Sequence, residues 1–223
     1  MPIPHPVADT TTIVLLGSFN PKIFQPVWLG TEGLVSKTEA ERAEIQVIHP
    51  EVAVLSVGPF SLQVLGERFV AETDQPAYFV PLRDLVVGIF RLLRHTPARA
   101  LGINRQMHFK VAEDLSWEGL GAAIMESIPW AEALQGSQSV GLDLRGSRAK
   151  SENGYVQVRL EPSNIEKDGI FVRVNDHYET SGENSQLGLQ AITEIIEAEF
   201  TGSIERSLHT AKRLLEVACL RQH

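Results

Sequence analysis

From Gln186 to Arg221 the chain sets apolar residues at helical spacing: Leu189, Ile192, Ile195, Ile196, Phe200, Ile204, Leu208, Ala211, Leu215 and Ala218. A helix with one apolar face draws most of its stability from packing that face against another apolar surface. That surface must come from strands packed beneath it, or from another copy of the helix. The positions Ile204, Leu208, Ala211 and Leu215 approach a heptad seam, so this segment is the expected association helix. Gly202 is expected to bend or break it after Phe200.

Strands to lie beneath it are visible upstream. Ile13–Phe19 is a short apolar run closed by Asn20-Pro21, which reads as a buried strand and a turn. A helix is expected between Ile23 and Arg42. Glu44–Val57 and the alternation Phe60, Leu62, Val64 flank Gly58-Pro59 and read as a two-stranded hairpin. Pro81–Arg94 is a clear amphipathic helix, and Arg99–Val111 follows as a strand. The order strand, helix, strand, strand, helix, strand is ferredoxin-like. A short helix over Leu115–Ile128 comes next, with strands over Val140–Leu144, Gly154–Leu160 and Gly169–Val174.

The expected class is therefore α+β: a ferredoxin-like βαββαβ half and a related hairpin-and-helix half, ending in the long helix. The organisation is an extended arm over 1–12, which carries Pro2, Pro4 and Pro6, a first half over 13–112 and a second over 113–223. An offset of 110 sets Phe60, Leu62 and Val64 on Ile170, Val172 and Val174, and Asp84–Val86 on Glu194–Ile196, as a pseudo-duplicated sheet would.

The chain carries 43% hydrophobic and 22% charged residues with a net charge of -8, which fits a globular domain and disfavours phosphate backbones and anionic lipid. The basic residues Arg91, Arg94, His95, Arg99, Arg105, His108 and Lys110 form the one cationic stretch and read mainly as a solvated helix end and strand face. Cys219 is the single cysteine, expected as a packed thiol. With no cysteine pair and no apolar run of spanning length, the expected compartment is the cytoplasm.

Catalytic signatures are not evident. Gly17-Ser18-Phe19-Asn20-Pro21 resembles the opening of nucleotidyltransferases, whose paired histidines would follow the proline; Lys22-Ile23-Phe24 stands there instead. The histidines are scattered, no Gly-x-Ser-x-Gly elbow occurs, and nothing calls for a metal or a cofactor. Two places draw a binding expectation: Glu67-Arg68 at the end of one strand, and Asn104-Arg105 with His108 in another. Arg105 shares a strand face with Ile103, Met107 and Phe109. A charge among apolar neighbours demands a carboxylate, for which Glu67 is one choice. Asp176-His177 is a further polar pair, read as a turn after a strand.

Three segments carry a family resemblance: Ile13–Pro21, the block from Phe69 through Leu101-Gly102-Ile103-Asn104-Arg105, and Glu199–His209. They resemble a sporadically distributed bacterial protein family of unknown function. The resemblance implies a patchily inherited accessory gene, of the kind often tied to defence. The first expectation is a non-catalytic interaction or assembly protein that pairs with another protein or with a second copy of itself. The alternative is an enzyme or a small anionic-ligand binder with a cleft between the halves. Third comes nucleic-acid binding through the sheet face, with Phe60 and Phe109 as stacking aromatics.

Overall fold

The computed structural model describes residues 5–111, 117–125, 134–148, 154–179 and 188–220. Nine strands form one antiparallel sheet: β1 (Ala8–Gly17), β2 (Glu44–His49), β3 (Val52–Val57), β4 (Phe60–Leu65), β5 (Arg68–Thr73), β6 (Ala98–Phe109), β7 (Leu142–Ser147), β8 (Gly154–Pro162) and β9 (Ile170–Glu179). Their order across the sheet is β2-β3-β4-β5-β1-β6-β9-β8-β7. The helices are α1 (Pro26–Thr31), α2 (Lys37–Glu41), α3 (Phe79–Leu92), α4 (Trp117–Met125) and α5 (Gly188–Leu220). The mixed α+β character and the long terminal helix agree with the sequence.

Several boundaries differ. β1 begins at Ala8, ahead of Ile13, because the β-branched run Thr10–Thr12 continues the pairing with β5 and β6. The segment expected as one helix over 23–42 is two short ones. Gly33 takes φ +70 between them, a backbone setting that suits glycine, and Ser36 restarts the chain with a capping box to Glu39. Where two strands were expected over 44–64, three form, and β5 adds a fourth to this meander. Two-residue turns join them at Pro50-Glu51, Gly58-Pro59 and Gly66-Glu67.

Among the described residues every helix lies on one face of the sheet. Ile13, Leu15, Leu55, Leu62, Phe69, Leu101 and Ile103 meet Phe90, Ile192, Ile196 and Phe200 in the larger core. Met107, Phe109, Val158, Leu160 and Val172 meet Trp117, Leu120, Ala211 and Leu215 in the smaller. α5 runs unbroken through Gly202. Its buried face (Ile196, Phe200, Ser203, Ser207, Ala211) passes continuously over that position, and such packing outweighs the roughly 1 kcal/mol glycine penalty.

Outward from the central pair, the strands run β1-β5-β4-β3 on one side and β6-β9-β8-β7 on the other. Each side is thus a strand, helix, three-strand meander and helix, with β2 added to the first. The offset of 110 aligns α3 with α5, but it sets β4 on β9, whereas β9 occupies the sheet position that β5 holds on the other side.

Candidate functional site

Alternation along each strand sends every second side chain to the helix-free face. Register then sets those side chains in rows. Ser56, Ser61, Glu72, Thr12, Asn104, Asn175, Gln157 and Arg145 are successive cross-strand partners from β3 to β7. This row is polar from end to end, although two of its strands are central. Thr12 donates to Glu72 Oε2 at 2.8 Å.

At the β1–β6 seam the open-face residues Thr12, Val14, Ala100 and Gly102 are small, with Leu16 beside Ala100 at one end and Asn104 and Gln106 toward the other. A Cβ on Gly102 would sit 3.2 Å from Asn175 Oδ1 and 3.4 Å from Asn104 Nδ2, so glycine lets these amides close over the backbone. Longer residues rise on either side, Gln63, Arg68 and Glu72 from one half and Tyr155, Arg173 and His177 from the other. Small floor and tall walls make a trough of about 550 Å³. A second hollow of about 480 Å³ adjoins it, sharing Glu72, Gln106 and Arg173 and extending to His108, Glu161 and Phe171. From Ala100 to His108 along β6 the two cover roughly 27 Å at about 3.4 Å per residue.

Charge in the trough is uneven. Arg68 and Arg173 line it and form no ion pair among the described residues, and Glu72 is its one carboxylate. On one wall Arg145 lies over the Tyr155 ring at 3.6 Å, and Tyr155 stacks on His177 at 4.5 Å. Asn175 Oδ1 is buried with no hydrogen-bond donor, an acceptor left unmet on the trough side of β9.

His108, in the adjoining hollow, is 8% exposed. Its Nδ1 lies 2.8 Å from Ser163 Oγ, and its ring packs on Phe171 at 4.7 Å. Burial lowers its pKa, against the opposing charge of Glu161.

The residues singled out from sequence are divided by the sheet. Arg68, Asn104 and His108 face the open side. Arg105 faces the helices, as its alternation with Ile103, Met107 and Phe109 requires. Its carboxylate partner is Asp9, bound through Nε at 2.9 Å and Nη2 at 2.6 Å, while Nη1 donates to Ile204 O at 2.7 Å. Glu67 does not meet it: that residue sits in the β4–β5 turn, where its carbonyl accepts from Gly17 N, at the end of β1 remote from Asp9. Asp176 and His177 lie within β9 rather than in a turn after it. Asp176 points to the helix side, 2.9 Å from Arg148 Nε and 3.1 Å from Arg206 Nη2. Phe60 and Phe109 are buried in the cores, so the open face lacks both expected stacking aromatics. Ile204, Leu208, Ala211 and Leu215 pack on this chain's own sheet. The side chain of Cys219 lies outside the described residues.

Sequence reasoning passed over Arg173, Asn175 and Tyr155. The signal was present in the polar alternation Arg173, Asn175, His177 inside an apolar strand, but its meaning needs the register with β6. Among the described residues no three His, Cys, Asp or Glu side chains gather as a metal site would require, and no helix is long and apolar enough to cross a membrane. No family model matches the chain, and no curated protein is significantly similar to it.

Proposed function

We propose that this chain is a binding protein that holds an elongated, anion-bearing small molecule in the trough between its halves. The observation that carries this reading is the combination at the seam: a floor of small residues between tall polar walls, with two guanidinium groups that have no carboxylate of their own among the described residues. Concave polar-and-apolar sites where two units meet are common ligand sites. In an acidic chain, two arginines that share one hollow with no carboxylate partner among the described residues favour an anion there. The amides of Asn104, Asn175 and Gln106 supply donors and acceptors for a polar ligand body.

Native mass spectrometry of protein purified without denaturant tests the reading. A small-molecule adduct is expected on the wild type and lost on Gly102→Val, which fills the floor. An adduct unchanged by that substitution, or no thermal shift with any organic anion in a metabolite panel, would overturn it.

The strand order supports reading the first half as an enlarged ferredoxin-like unit. β6-β1-β5-β4 follow the order such a unit takes, α3 crosses from β5 to β6 over β1, and β2 with β3 extend one edge. The mirrored order of the two sides supports duplication of a strand–helix–meander–helix module. Assembly with another protein is the second reading. The exposed edge strand β2, with Ile45 54% and Val47 37% accessible, favours it over the α5 stripe, which is already covered.

A further inference from the structure

We propose that the His108 end of the trough is an oxyanion subsite, taking a phosphate or carboxylate head at Arg173 and His108 while the ligand body lies toward Tyr155 and His177. The inference rests on the trough reading and adds a direction to it.

Ser163 decides the state of His108. Its Oγ accepts from the backbone N–H of Ile165 at 3.2 Å and of Glu166 at 2.9 Å. With both lone pairs engaged, its remaining function is the O–H, which donates to His108 Nδ1 at 2.8 Å. The imidazole must then carry its proton on Nε2, an assignment that follows from the network. Packing on Phe171 fixes the ring plane, and burial favours the neutral form. The hollow thus holds a neutral N–H donor that neither rotates nor exchanges its role.

Arg173 supplies the charge. It is the register partner of Gln106 and lines both hollows. Two carboxylates, Glu161 and Glu72, line the same hollow, and each has a partner other than Arg173. Glu161 is held by Arg159 Nε at 2.8 Å. Glu72 reaches the hollow from β5 and accepts from Thr12 Oγ1 at 2.8 Å. A guanidinium, a fixed imidazole N–H and the Gln106 amide form a donor set suited to an oxyanion.

The test uses imidazole and guanidinium ¹⁵N NMR on the full chain, with inorganic phosphate and acetate as probes. In the free protein His108 is expected as the neutral Nε2–H tautomer, and Ser163→Ala is expected to mix the tautomers. Phosphate, or acetate if the head is a carboxylate, is expected to shift the His108 Nε2 and Arg173 Nε signals saturably. Arg173→Gln is expected to weaken that binding about tenfold or more. An Nδ1–H tautomer overturns the inference. Saturable shifts confined to the Arg68 end overturn it and leave the trough reading standing. If neither probe perturbs the open face, both fall.

Discussion

Removing the carboxylate of Asp9 is expected to be among the most damaging single changes in this protein. Asp9 and Arg105 are each about 9% exposed at the side chain, and their contact is bidentate. Asp9→Ala leaves a guanidinium buried with only Ile204 O to receive its protons. Arginine cannot escape by losing its charge, so the cost is that of an orphaned buried ion, about 3–5 kcal/mol. For a chain of this size that is a fall in Tm of about 6–20 °C. Arg105→Met is expected to cost less, because an orphaned carboxyl can take up a proton and become neutral. The double change Asp9→Leu with Arg105→Met is expected to regain most of the loss, since replacing a buried pair by apolar groups is often neutral. Ile204 O retains its helical bond from the amide one turn ahead. Urea unfolding of the wild type and the three variants measures these costs. A loss below about 1 kcal/mol for Asp9→Ala, or a double variant no better than the worse single one, would refute the argument.

Three other outcomes follow from the packing. Leu215→Ala, at a fully buried position of α5, is expected to cost about 2–5 kcal/mol with no change in native mass; a lost dimer would show instead that the helix face closes an assembly. His108 is held below the ordinary imidazole value of 6.5 by burial. Its contribution to stability is therefore full above about pH 6.5 and is lost as pH falls through the lower folded value, because the unfolded chain binds the proton more readily. His108→Asn is expected to flatten the stability profile there, and an unchanged slope between pH 5 and 7 would count against the assignment. Burial, and next the Asp176 carboxylate, hold the Tyr178 phenol well above its ordinary pKa of 10. Ultraviolet titration is expected to leave the Tyr178 phenol un-ionised at pH 11 while the fold persists, and Tyr178→Phe removes that un-ionised fraction.

The periods that survive without tertiary information were the ones the sequence disclosed. α3 and α5 carry enough apolar residues at helical spacing to be read directly. β6, β7 and β8 stand within a few residues of where alternation sets them, while β9 runs on past Val174 to Glu179. What was lost depended on punctuation. Pro50-Glu51 is a tight turn inside a stretch that alternates on both sides, so β2 and β3 read as one strand. Gly66-Glu67 is equally short, and the charges at Glu67, Arg68 and Glu72 disguised β5 as a polar connection. The demand of Arg105 for a carboxylate was legible, but its partner was not. Asp9 precedes the apolar run of β1, and only the register pairing Asp9 with Met107 brings it alongside.

The trough was illegible for a related reason, since no single strand contains it. Each strand discloses only which residues share a face. On β1 the helix side receives Ile13 and Leu15 while the open side receives Thr12 and Val14. On β6 the division is Leu101 and Ile103 against Ala100 and Gly102. Around Gly102 both central strands therefore place their bulk on the helix side and their small residues on the open side, with Leu16 and Asn104 bounding the stretch. A packed core fills the first side, because interiors close to crystal density leave no voids. The second side becomes a hollow only when the two strands are neighbours, since a bulky residue opposite Gly102 would occupy the space. Val14 is that opposite residue on β1 and His177 on β9, and His177 is drawn aside by its stack on Tyr155. The hollow is thus a property of the pairing between halves, so substitutions that leave each half folded but bulk out this seam should remove binding without loss of the cores.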